Sequence, residues 1–107
     1  MLSPTELQKE IYQTAVDHGW WEGEQNQAEK IALMHSELSE ALEAIRDPRL
    51  LMSEKIQGFT LLEEELADVF IRIFDFAEHH KLKVWEATLA KAAFNKYRPF
   101  RHGGKKF

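Results

Sequence analysis

Between Thr60 and His80 the chain reads TLLEEELADVFIRIFDFAEHH, with more apolar positions than a helix with one wet face can carry. At about 100° per residue, Leu62, Leu66, Val69, Phe70, Ile73, Phe74, Phe76 and Ala77 cover well over half of a helical circumference, and Ala67 and Ile71 widen the arc. Such a helix is expected to be nearly surrounded by protein. Its polar residues are confined: Glu65, Asp68, Arg72, Asp75 and His79 follow at spacings of three, four, three and four, which stacks them in one narrow stripe. A solvated face would be wider. The stripe reads as the wall of an internal cleft, and Glu65 and Asp68 form an E-x-x-D pair whose oxygens converge.

The stretch from Asn26 to Arg46 repeats the device. Ile31, Met34, Leu38, Ala41, Leu42 and Ile45 define its core stripe, extended on one side by Leu33 and Ala44. Glu37 projects inside that arc and Glu40 lies at its edge. A carboxylate turned inward is costly unless it is paired, protonated or bound to a cation, and the neighbouring sequence offers too little positive charge for all four acids. A hard divalent cation such as Mg²⁺ is the simplest partner, because it takes oxygen ligands and two i, i+3 acidic pairs on facing helices supply several.

The remaining pattern is also helical. Ser3-Pro4-Thr5-Glu6 combines an N-cap, a first-turn proline and a capping-box glutamate; Leu7, Ile11, Tyr12, Ala15 and Val16 form the buried face behind it, and Gly19 is the stop. The connection WWEGEQ follows. Trp20 and Trp21 are adjacent and cannot share one face, so they either anchor the loop in the core or offer a lid and stacking surface to a planar ligand. Asn26 with Glu29 and Thr60 with Glu63 repeat the capping signature, and Asp47-Pro48 closes the first acidic helix. Pro48 to Phe59 reads as a short helical turn or a connector. The last helix, VWEATLAKAAFNKYR, is expected to bury Trp85, Leu89, Ala92 and Ala93, with Lys91, Asn95 and Arg98 as a polar file and Pro99 as its end.

Composition narrows this picture. A chain of 107 residues without internal repeats or linkers reads as a single domain over residues 1–107. With no cysteine there is no disulfide framework, thiol nucleophile or zinc-thiolate site. The start MLSPTELQKE lacks a basic segment followed by an apolar run, and no apolar stretch approaches the roughly 20 residues of a membrane span, so a cytoplasmic protein without membrane partners is expected. The net charge of −4 argues against binding a nucleic-acid polymer, although from Ala90 onward every charged side chain is basic. The five histidines are not placed in E-x-x-H pairs with the acids, which disfavours zinc and di-iron chemistry. The expected fold is all-α: an antiparallel four-helix bundle, completed by a second subunit because three short neighbours cannot cover the Thr60–His80 helix.

HSELSEALEAIRD, carrying Glu37 and Glu40, and LEEELADVFIRIFD, carrying Glu65 and Asp68, together resemble the paired E-x-x-E and E-x-x-D signature of the MazG-like all-α nucleoside triphosphate pyrophosphohydrolases. The ending KAAFNKYRPFRHGGKKF and the HGWW segment are similar to those of its small single-domain, phage-type members. The resemblance implies a MazG-like helical homodimer or dimer of dimers. It further implies an enzyme that uses Mg²⁺, with Mn²⁺ as a substitute, to hydrolyse a nucleoside triphosphate to its monophosphate and pyrophosphate. Glu37, Glu40, Glu65 and Asp68 would be the metal ligands, and Lys91, Asn95 and Arg98, followed by Arg101, His102 and Lys105, would contact the nucleotide. Ser36 stands where many members have a further glutamate. Glu40, at the edge of the arc, is our choice of general base. Trp20 and Trp21 are candidates for the substrate's planar group. Two alternatives stand beside this expectation: a non-catalytic oligomeric interaction module whose acidic stripe pairs with the basic ending, and a pyrophosphohydrolase of nucleoside diphosphates or other pyrophosphate-linked nucleotides.

Overall fold

The computed structural model describes residues 1–98 and contains four helices: α1 (Pro4–Asp17), α2 (Gln27–Arg46), α3 (Leu61–His79) and α4 (Val84–Lys96). The first three begin where the local chemistry dictates. Ser3 Oγ accepts from Glu6 N while the Glu6 carboxylate accepts from Ser3 N, Thr60 and Glu63 do the same, and Asn26 caps with its side-chain oxygen alone. Each such cap contributes about 1 kcal/mol. The described residues include no helix long and apolar enough to cross a membrane.

The helix α3 is the hub, with α1 and α2 packed against it. Long-range polar bonds add to these contacts: the buried Gln8 of α1 donates to Glu78 of α3 at 3.0 Å, and Tyr12 shares a 3.0 Å hydrogen bond with His79. On α2 the broad apolar arc divides. Ala41 is buried and Leu33, Met34, Glu37 and Ala44 are half-buried, whereas Ile31, Leu38, Leu42 and Ile45 are exposed. Glu37 therefore lies in the middle of the arc that meets the rest of the chain.

Several expectations need correction. Of the six residues expected to form the α2 core stripe, Ile31, Leu38, Leu42 and Ile45 are exposed, as are Leu7 and Val16 of the expected buried face of α1. The face Trp85, Leu89, Ala92 and Ala93 of α4 is not buried: Trp85 is half-buried, the others are exposed, and no residue of α4 is buried, because few of the described residues pack against it. The predicted arc of α3 is incomplete too, with Leu66, Ile71 and Phe70 exposed, the last at 63%. The segment before α3 contains no helical turn and is a connector closed on itself. Met52 and Thr60 form an antiparallel bridge, Ser53 N donates to Phe59 O and Leu61 N to Leu51 O, both at 2.9 Å, and Gly58 supplies the positive φ of 88° that closes the loop. The Cα radius of gyration is 16.5 Å, against about 13 Å for a compact chain of this length. All four expected helices are present, and among the described residues the main packing is that of α1 and α2 on α3.

Candidate metal centre

Glu37 from α2 and Glu65 and Asp68 from α3 meet between the two helices, each offering a carboxylate oxygen, with all three oxygens within 4.8 Å of one another. The packing of α2 on α3 brings Glu37 of the first i, i+3 pair against both members of the second. Glu40 is exposed and lies beside Glu65 rather than in the triad. A fifth carboxylate joins them. Glu64 is buried, accepts a 2.5 Å hydrogen bond from Ser53 Oγ and lies 3.8 Å from Lys55 Nζ, which pins the closed connector onto α3. Glu64 was not singled out by periodicity, because its position becomes interior only when the connector folds over it.

The electrostatics are those of an acid cluster short of cations. Among the described residues, five carboxylates are met by two cations, Arg72 on Glu37 and Lys55 on Glu64. Burial pushes the Glu65 carboxyl up to about 7, and neighbouring Glu40, Asp68 and Glu64 add to the shift. Asp68 is raised as well, first by burial and then by Glu37 and Glu64, against the opposing charge of Lys55. One oxygen of Glu65, Oε2, is buried with no hydrogen-bond partner among the described residues. An orphaned carboxylate oxygen beside two other carboxylates within ligand distance suits a hard divalent cation, whose positive charge would favour the ionised forms of Glu65 and Asp68.

The lower half of the polar stripe differs. Arg72 does not pair with Asp68 or Asp75, its neighbours four and three residues away along the stripe: its Nε–H donates to Glu37 Oε1 at 2.8 Å, across the helix interface. Asp75 instead accepts the Trp21 indole N–H at 2.8 Å. The Trp21 ring stacks on His79 with centroids 3.8 Å apart and planes 6° from parallel, and Lys30 Nζ lies 4.3 Å from its centre. Trp21 is thus the anchor of its loop. Trp20 is the exposed member of the pair and lines a cleft of about 120 Å³ with Ile11, Ala15, His18, Arg72 and Asp75.

The predicted nucleotide contacts divide between described and undescribed residues. Lys91, Asn95 and Arg98 are exposed on and just after α4, and none makes a hydrogen bond or ion pair with the carboxylates. Lys91 and Asn95 share a shallow groove with Val84, Ala87, Thr88 and Ala92, and Lys91 Nζ lies 4.7 Å from the Phe94 ring. Arg101, His102 and Lys105 lie outside the described residues. No protein-family model, curated protein or solved structure matches this chain.

Proposed function

We propose that the protein is a Mg²⁺-dependent nucleoside triphosphate pyrophosphohydrolase of the MazG-like kind. The observation that carries this reading is the triad of Glu37, Glu65 and Asp68, with its under-compensated charge and the unpartnered Glu65 Oε2. The resemblance of the two acidic segments and of the basic ending to that family supports it. Glu37, Glu65 and Asp68 would hold the ion, with Glu40 beside them; when bound, Mg²⁺ or Mn²⁺ supplies neutralisation of the phosphates and Lewis acidity. Water attacks the α-phosphorus, Glu40 accepts its proton, and pyrophosphate leaves. Trp20 is the face on which a nucleobase stacks, since Trp21 is engaged by His79, Asp75 and Lys30.

The same reading requires a second copy of the chain. Ile31, Leu38, Leu42 and Ile45 of α2, Leu66 and Phe70 of α3, and Leu89 and Phe94 of α4 are exposed, and α4 with its cations lies apart from the carboxylates. A homodimer or dimer of dimers covers these faces and brings Lys91, Asn95 and Arg98 of one protomer toward the outer phosphates at another's carboxylates. Light scattering should give at least twice the 12.5 kDa chain mass; a stable monomer at micromolar concentration contradicts the assembly. Arg98→Ala should lower kcat/KM by about 10²-fold, or roughly 2.7 kcal/mol, without dissociating the oligomer.

Hydrolysis in ¹⁸O-labelled water tests the chemistry. A panel of nucleotides assayed separately for pyrophosphate and orthophosphate should give label in the nucleoside monophosphate and none in pyrophosphate. Orthophosphate as first product would favour a diphosphate or other substrate class. No turnover, with a stability indifferent to Mg²⁺, would favour the interaction module.

A further inference from the structure

Arg72 stands at the junction of the carboxylate triad and the Trp20 cleft, and neither its position nor its bonding is that of a structural ion pair alone. A guanidinium carries five N–H donors in a planar fork. Among the described residues only the Nε–H of Arg72 is engaged, on Glu37 Oε1; no protein acceptor takes a hydrogen bond from its Nη groups. The nearest further acid along the stripe, Asp75, is already hydrogen-bonded to Trp21. The Arg72 side chain is 28% exposed and lines the cleft, with its guanidinium carbon 6.0 Å from the Trp20 ring centre. One edge of the fork is therefore fixed on a candidate metal ligand, while the other borders the space where a planar group would lie.

We propose that Arg72 binds the phosphate that joins the nucleoside to the rest of the substrate, the α-phosphate, through its free Nη edge while its Nε–H holds Glu37 in place for the metal. This rests on the pyrophosphohydrolase reading and deepens it. A nucleotide with its base on Trp20 and its polyphosphate at Glu37, Glu65 and Asp68 passes the guanidinium at the phosphate nearest the sugar. Arginine suits the position because its fork serves two acceptors at once, which a lysine ammonium on a flexible stem does not do with fixed geometry. The outer phosphates are left to other cations.

The two products separate this role from general charge. In Mg²⁺, calorimetric titration of the full chain with each common deoxynucleoside monophosphate and with inorganic pyrophosphate should show binding of both product classes. In Arg72→Gln, monophosphate affinity should fall about tenfold or more, as expected for loss of a charged hydrogen bond, while pyrophosphate affinity changes little. Arg72→Lys keeps the charge and covers the case in which the glutamine variant does not fold; it should recover only part of the monophosphate affinity. Unchanged monophosphate binding in either folded variant, or an equal loss for both products, overturns the proposal. So does a parent that binds pyrophosphate but no monophosphate. A parent that binds neither and hydrolyses no triphosphate overturns the functional reading itself.

Discussion

In the lower half of α3, Asp75 accepts the Trp21 indole N–H, His79 stacks on that indole and bonds Tyr12, and Lys30 stands over the ring. About two to three turns higher on the same stripe, Asp68 and Glu65 meet Glu37 and Glu40 instead, and Glu65 Oε2 has no donor among the described residues. The residue types are nearly the same. What differs is the facing element: the first connection brings an aromatic N–H and a lysine to the lower half, whereas α2 brings two more carboxylates to the upper half. A polar stripe buried against donors is structural. Buried against like charges, it costs stability until something positive arrives, and retaining that cost is what a binding site does.

The contrast sharpens most under substitution of its upper half. Glu37→Gln keeps the shape and removes one charge from the enclosed position, so kcat/KM for triphosphate should fall about 10³-fold or more, roughly 4 kcal/mol of transition-state binding. The metal-free protein should melt no lower than the parent, because the loss of the Arg72 pair is offset by relief of repulsion among the acids. Strong destabilisation of the metal-free variant would make Glu37 a salt-bridge partner first and a ligand second. In the lower half the expectation reverses. Trp21→Ala should cost roughly 2 kcal/mol and lower Tm by about 10 °C, with the response to Mg²⁺ kept. If Trp21→Ala abolished Mg²⁺ binding in a folded protein, the two halves would not be separable.

Most of what could be read from the sequence is local. Ser3 with Glu6, Asn26, and Thr60 with Glu63 start their helices as their spacing indicates, because capping bonds span three residues and need no tertiary partner. The inward place of Glu37 was also legible, because a single helix's geometry fixes which residues flank it. The partner of Arg72 was not. Spacing offers Asp68 and Asp75, but Trp21 has taken Asp75, and the longer Glu37 side chain reaches across from α2. The closed connector was hidden for the same reason: Ser53 acquires its role only through Glu64, eleven residues away. The exposed face of α4 marks a further limit, since apolar periodicity indicates that a face is to be covered and not which chain covers it.

A smaller effect is expected from pH, and its sign follows from the carboxyls. Glu65, raised to about 7, and Asp68, also raised, hold protons in the metal-free fold that the unfolded chain has already released. Between the ordinary carboxylate range and about pH 7 the folded state binds more protons, so this contribution to stability falls as pH rises. His79, lowered by burial and by His80, acts in the opposite direction: its contribution is lost as pH falls. The informative quantity is therefore the difference in Tm between the parent and Glu65→Gln in chelator. The parent should lose several degrees relative to the variant from pH 5.5 to 8, and saturating Mg²⁺ should remove that loss. A pH-independent difference would mean that Glu65 titrates normally.

The most direct measurement is a titration of the metal-free protein with Mn²⁺, followed by the electron paramagnetic resonance of the free ion. The account predicts that the parent captures Mn²⁺, that Mg²⁺ displaces it, that Glu65→Gln loses the capture, and that Asp75→Asn retains it. A parent that leaves the Mn²⁺ signal untouched, or an Asp75→Asn protein that loses it as completely as Glu65→Gln, would contradict the assignment of the triad as a metal centre.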